Sequence, residues 1–363
     1  MVVIDDGWFG NRCNDSEGLG DWYANKDKFQ NGLAAFSGKI HKMGLQLGIW
    51  IEPEMISPKS QLYAQHPEWV LGCRNRDLSL GRKQLVLDLT QDQVVNYIVE
   101  RLKKAFSGVK IDYIKWDFNR SLTEVGSSFL NSGRQGEARH RFMLGSYKMH
   151  KLLTEAFPDT LFEGCSGGGG RFDAGILFYC PQIWASDNTD PFCRLPIQEG
   201  TALAYPLSAI SAHVSNSINN PFEKEPDYDF RCNVASECML GYEMNISQLS
   251  EEKSMQIKKQ ANAYKKVQKI LLKGDRYRID GMQSGEYASV CVSKDKSEFI
   301  FFYRCTNNIK RTKIQLYGLD PSIVYRTENG IEFTGDEAQT VGIDLPLQSG
   351  EYRYFVLHAE KKI

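Results

Sequence analysis

The chain of 363 residues is longer than one small core requires, and its length points to about two domains. Its 44 basic and 45 acidic residues leave a net charge of -1, so no overall field draws it to nucleic acid or anionic membrane, and a neutral partner such as a sugar fits better. No stretch approaches the roughly 20 apolar residues of a membrane span, and Asp5 and Asp6 stand where a signal peptide needs an apolar core.

From Met1 to about Leu272 one theme recurs: an apolar run, a Gly-rich or acidic loop, then an amphipathic stretch. The apolar runs end at Val2–Asp6, Leu47–Glu52, Ile111–Asp117, Leu161–Cys165, Gln182–Asp187, Leu207–His213 and Glu237–Tyr242. Helices are expected between them, among them Gln93–Phe106, Arg139–Ala156 and Glu251–Leu271. Seven strand-helix units imply a parallel (β/α)8-type TIM barrel one strand short of closure, an α/β fold. After Lys273 the pattern changes to short alternating runs, Tyr287–Val292, Glu298–Arg304, Thr312–Tyr317 and Tyr352–His358, separated by turn residues. This predicts a small antiparallel C-terminal β-sandwich, giving a barrel domain at 1–272 and a β-sandwich domain at 275–363. The nine cysteines lack the paired spacing of zinc or redox motifs, so reduced thiols in a cytoplasmic protein are expected.

In such barrels the carboxyl ends of the strands converge on one pocket. The residues there are Asp5, Asp6, Trp8, Trp50, Glu52, Lys115, Asp117, Asn119, Cys165, Trp184, Asp187, Asp190 and His213, and few are aliphatic. Carboxylates and lysine suit sugar hydroxyls, and tryptophan suits the C–H face of a pyranose, although any one Trp could equally cap the barrel core. Cleaving a glycoside with retention takes one carboxylate as nucleophile and one as proton donor. Asp117 and Asp187 fit because they follow different strands, and Lys115 projects from the same side of its strand as Asp117. Asp117 could instead cap a helix or hold a structural ion pair, Ser186–Asp190 is also a good turn sequence, and Asp190 is an alternative acid. Glu52 and Glu54 around Pro53 form a rival pair, read here as a rigid turn supporting Trp50. Asp5 and Asp6 would bind adjacent hydroxyls; no series of oxygen ligands and no His cluster suggests a metal. The run Gly164–Arg171 lacks the Gly-Lys-Ser/Thr ending of a phosphate loop, and its glycines allow close approach of backbone to a ligand.

Six segments in order, Asp5–Phe9, Leu19–Trp22, Gly48–Met55, Lys115–Asp117, Cys165–Gly169 and Ser186–Asp190, resemble those of the large bacterial α-galactosidases of glycoside hydrolase family 36. The resemblance covers nearly the whole chain. It implies a retaining mechanism with Asp117 at the nucleophile position and Asp187 at that of the general acid/base. It also implies that Asp5, Asp6, Trp50, Arg82, Lys115, Cys165, Gly168 and Trp184 surround the galactose. The implied substrates are terminal α-galactosides such as melibiose and raffinose-type oligosaccharides, with no cofactor or metal, and homo-oligomers are a possibility.

Relatives of this type carry an N-terminal β-sandwich and a first barrel strand and helix ahead of the position matched by Asp5, in agreement with the count of seven strands. A missing strand exposes the edges of its neighbours. The alternatives are therefore a catalytically silent or sugar-binding fragment, and within the same chemistry a transglycosylase or an α-N-acetylgalactosaminidase. Phe118 replaces a common methionine. Pro191–Pro196 departs from an Ala-Ile-Glu-Arg-like sequence on the leaving-group side, where aglycone preference is set.

Overall fold

A computed structural model describes residues 1–73, 75–215, 226–307, 309, 311–346 and 352–362. It divides into two compact units, Met1–Trp184 and Ala185–Ile363.

The first unit runs β1 (Val2–Ile4), α1 (Gly32–Lys42), β2 (Leu47–Ile51), β3 (Met55–Ile56), α2 (Gln61–Gln65) and β4 (Leu85–Val86). It continues with α3 (Asp92–Ala105), β5 (Tyr113–Trp116), α4 (Ala138–Ala156), β6 (Leu161–Gly164), α5 (Ala174–Leu177) and β7 (Gln182–Trp184). Strands β1, β2, β5, β6 and β7 lie side by side in that order, all parallel, while β3 and β4 form a separate antiparallel pair. In-register partners share a face, and one row across the sheet reads Trp50, Lys115, Glu163, Gln182. The neighbouring row, Ile51, Trp116, Gly164, Ile183, belongs to the opposite face.

Helix α3 follows from its sequence. Val94, Val95, Ile98, Val99 and Leu102 recur on one stripe, Asp92 sits in its first turn, and Lys103 and Lys104 sit in its last, where each charge favours the helix dipole. That stripe joins Ile51, Trp116 and Ile183 in the core, together with Phe142, Met149 and Leu153 of α4. Close contact is enforced at Gly145 of α4, where a Cβ would come within 1.9 Å of the Leu89 carbonyl oxygen. The helices thus cover the apolar face of the sheet, and the row bearing Lys115 and Glu163 is left on the other. That division is what gives the sheet a polar face suited to chemistry.

The second unit contains α6 (Pro191–Ala202), β8 (Ile210–Ser215), α7 (Tyr228–Ala235), β9 (Met239–Glu243) and α8 (Glu251–Lys273). Strands β8 and β9 are parallel, which brings the parallel strands among the described residues to the seven expected. Then follow β10 (Asp275–Arg278), β11 (Glu286–Val292), β12 (Glu298–Cys305), β13 (Lys313–Ile314), β14 (Val324–Thr327), β15 (Glu332–Thr334), α9 (Gly335–Thr340), β16 (Ile343–Asp344) and β17 (Arg353–Lys361). An antiparallel sheet of order β10-β11-β12-β17-β14-β15 buries Val290, Phe299, Phe301 and Tyr325 against Ile314 and Ile343 of the β13–β16 pair. The expected run Thr312–Tyr317 is a strand only at Lys313–Ile314, and β10, β14 and β15 were not anticipated. All nine cysteines are free thiols, and among the described residues no helix is long and apolar enough to cross a membrane.

Candidate active site

Asp117 follows β5 directly and is 6% exposed. Among the described residues it neither caps a helix nor forms an ion pair. Instead, its Oδ2 accepts Trp50 Nε1 at 3.2 Å and Asn119 Nδ2 at 2.6 Å, and its Oδ1 accepts the Phe118 backbone N–H at 2.8 Å. Three donors to one carboxylate fix its orientation at the end of β5. The loop is anchored from both sides: Asp117 N–H donates to Ile51 O at 2.8 Å, and Cys165 N–H donates to Trp116 O at 2.7 Å.

Lys115 lies one turn of the pleat below. Its Nζ stands 3.5 Å from Asp5 Oδ2 and 5.7 Å from the centre of the Trp184 ring. Burial opposes its charge, but the carboxylates of Asp5 first, then Glu163 and Asp117, outweigh burial and raise its pKa above the ordinary lysine value. The ammonium is therefore fixed in its charged form among anions. The Cys165 thiol, 3% exposed beside Asp117, is pushed up first by burial and then by that carboxylate, so it stays a neutral thiol. Gly168 has φ +86°, a conformation open to glycine, and the turn it completes is closed by Ser166 N–H donating to Gly168 O at 2.7 Å. A cleft of about 410 Å³ opens along these loops, lined by Phe118, Asn119, Ser166, Gly167 and Arg171 among others.

The structure thus gathers Asp5, Trp50, Lys115, Asp117, Cys165 and Trp184 through direct contacts or electrostatic coupling. Asp6 turns to Arg12, whose Nε donates to its Oδ1 at 2.5 Å. Arg82 is exposed at φ +50° on a loop held by Arg120, whose Nη1 donates to Ser79 O at 2.6 Å and Gln84 O at 3.0 Å. Asp187 belongs to the second unit, three residues past β7. Trp8 is no platform: it is 1% exposed, packs on Phe9, Trp22 and Phe106, and spends its Nε1 on Trp50 O at 2.7 Å. Asp190 is fully buried and caps α6 through Cys193 N–H at 3.0 Å, a structural task. His213 Nδ1 lies 3.4 Å from Glu243 Oε2.

Sequence reasoning passed over Glu163, Gln84, Arg12 and Arg171. Glu163 is 1% exposed, bonded by Gln182 Nε2 and coupled to Tyr113 and Lys115. Its signal was there, a lone carboxylate inside the apolar run Leu161–Gly164. Among the described residues, a trio able to hold a metal ion is Glu298, His358 and Glu360, on the paired strands β12 and β17 in the second unit.

Known proteins share this sequence and fold. The family model Melibiase matches residues 1–274, and that of the glycosyl hydrolase family 36 C-terminal domain matches 286–358. The sequence is 43% identical over 97% of the chain to α-galactosidase AgaA of Geobacillus stearothermophilus, and 43% identical over 99% of it to α-galactosidase Mel36A of Lactobacillus acidophilus. The crystal structure of AgaA superposes with a TM-score of 0.95 at 42% identity, covering 99% of this chain and 51% of that one. Variants of AgaA solved with raffinose and with stachyose give 0.96. The fold class is therefore the barrel-type parallel sheet of seven strands followed by an antiparallel C-terminal sheet. The chain belongs to glycoside hydrolase family 36. It spans about half the length of the curated relatives it matches, 49% of AgaA and 50% of Mel36A.

Proposed function

We propose that the chain is the catalytic part of a retaining exo-α-galactosidase acting on melibiose and raffinose-type oligosaccharides. Asp117 attacks the anomeric carbon; Asp187 protonates the leaving oxygen and then takes a proton from the water that releases galactose. The observation that carries this reading is the set of three hydrogen bonds holding the buried carboxyl group of Asp117, which is electrostatically coupled to Lys115. Lys115, Asp5, Asp6 and Arg82 offer the charged partners for sugar hydroxyls, with Trp50, Trp184, Cys165 and Gly168 shaping the walls. The names of the relatives and the sugars in their complexes support the substrate class.

The proposal includes domains at 1–272 and 275–363, a cytoplasmic setting and self-association. The family-model limits at 274 and 286 favour that partition, while the division into compact units after Trp184 does not coincide with it. Size-exclusion chromatography with light scattering tests the association.

Release of p-nitrophenol from p-nitrophenyl α-galactoside tests the chemistry. Asp117→Ala and Asp187→Ala are each expected to lose at least ~10³-fold in kcat, and azide to rescue Asp117→Ala as β-galactosyl azide. Full turnover in either variant contradicts the assignment. A second reading, a sugar-binding chain without turnover, rests on β1: it is the outer strand of its sheet, Val2 and Val3 are exposed, and it leads into Asp5 and Asp6. Galactose binding by a folded chain that releases no p-nitrophenol favours this second reading.

A further inference from the structure

Glu52 follows β2 directly, is 1% exposed, and has no task in the chemistry above. Its Oε1 accepts Gln84 Nε2 at 2.8 Å and the Asn119 backbone N–H at 2.6 Å. Each donor leads to a different loop. Asn119 passes its Nδ2 to Asp117 Oδ2 at 2.6 Å, and Gln84 stands two residues from Arg82 with its own carbonyl held by Arg120.

We propose that Glu52 is a positioning residue that ties the loop of Asp117 to the loop of Arg82, and that it works as a neutral carboxyl, so that Glu52 and Asp117 together carry one negative charge. The role of Asp117 in this proposal rests on the function proposed above; the shared charge does not. A carboxyl out of contact with water and close to a second carboxylate resists ionisation. Here burial first, and the Asp117 charge second, push the Glu52 pKa up to about 8 against an ordinary 4.5. The other charges nearby are committed elsewhere. Lys115 of β5 faces Asp5, Glu54 pairs with Arg171, and Arg120 bonds to the carbonyls of Ser79 and Gln84. Arg82 is exposed to solvent. A neutral Glu52 accepts both hydrogen bonds without setting a second anion against Asp117. An ionised one keeps the bonds and adds the repulsion.

Infrared difference titration of the folded chain reads this without turnover, with Glu52→Gln identifying the Glu52 carboxyl band. The band is expected to titrate near 8, and to move down by about one unit or more in Asp117→Asn, where the repelling charge is gone. A band titrating near 4.5, or one that Asp117→Asn leaves in place, overturns the proposal, whether or not the chain hydrolyses galactosides. Where turnover is present, Glu52→Gln is expected to stay within about threefold of the parent at pH 6 and to lose one ionisation from the alkaline limb of kcat/KM. Glu52→Asp, which draws the acceptor back by about one bond, is expected to lose ~10²-fold in kcat with little change in KM. Equal losses in Gln and Asp variants, or an unchanged alkaline limb in Glu52→Gln, count against it.

Discussion

Glu52 in the first unit and Glu237 in the second are both buried carboxyls, yet they are driven to opposite charge states. Glu237 is 5% exposed and accepts Arg304 Nη1 at 2.8 Å and Arg276 Nε at 3.1 Å. Burial raises its pKa, but Arg304 and Arg276 overcome this and bring it to about 2. Glu52 has a carboxylate for a neighbour instead of two guanidinium groups, and rises to about 8. Burial alone does not set the charge of a carboxyl; the sign of the nearest partner does. The cationic surroundings of Glu237 serve cohesion, since Arg304 also bonds Asn233 of α7 through Oδ1 and O, each at 2.7 Å, and so fastens β12 to α7. The surroundings of Glu52 link two loops, through Gln84 and Asn119.

The contrast breaks most visibly on removal of a cation. Arg304→Met leaves Glu237 buried with Arg276 as its remaining guanidinium and is expected to cost roughly 3–5 kcal/mol in urea unfolding; a cost below about 1 kcal/mol would mean that the network is dispensable. Acid is the next lever. Because the folded pKa of Glu237 lies below its ordinary value of 4.5, its contribution is present above 4.5 and is lost as pH falls towards 2. Glu237→Gln should therefore flatten the acid limb of stability. Glu52 has the opposite sign: its folded pKa is raised, so stability is greatest below 4.5 and declines as pH rises to about 8. Glu52→Gln is expected to remove that decline and to be more stable than the parent at pH 8, read as a higher Tm. The smallest effect belongs to Asp190, which caps α6. Asp190→Ala should cost about 1 kcal/mol through the lost cap of α6, and Asp190→Asn almost nothing; loss of turnover in the Asn variant with stability intact would revive Asp190 as the proton donor.

Local pattern carried the architecture well. A buried parallel strand must be an apolar run and must end where polar residues begin, so the parallel strands stood out, as did α3, α4 and α8 within two residues at their ends; the run Leu207–His213 was placed too early, since Leu207–Ala209 is a helical turn and β8 continues past His213 to Ser215. Short strands held by their neighbours, such as β14 and β15, have too few residues for alternation to register. In the site, Asp117 and Lys115 were visible because they interrupt an apolar run. Arg171 was not, because its meaning lies in Glu54, 117 residues away in the chain and 2.8 Å away in space. Trp8 misled for a related reason. A tryptophan at a strand end looks the same in sequence whether its ring meets a sugar or Phe106.

The turn at Pro53 places two carboxyls one residue apart from it on either side, and their surroundings make them unequal under mutation. Glu54 Oε1 accepts Trp116 Nε1 at 2.9 Å and Arg171 Nη1 at 2.8 Å; burial works against its charge, yet Arg171 keeps its pKa below the ordinary value. A single base change converts either glutamate codon to glutamine. At position 52 that change keeps an acceptor oxygen and the neutral charge proposed for the carboxyl. At position 54 it strips the counter-ion from an arginine lying over the Phe118 ring, 4.3 Å from its centre. If Glu52 is neutral as proposed, glutamine is expected to be tolerated at 52 and costly at 54, two residues apart in one turn.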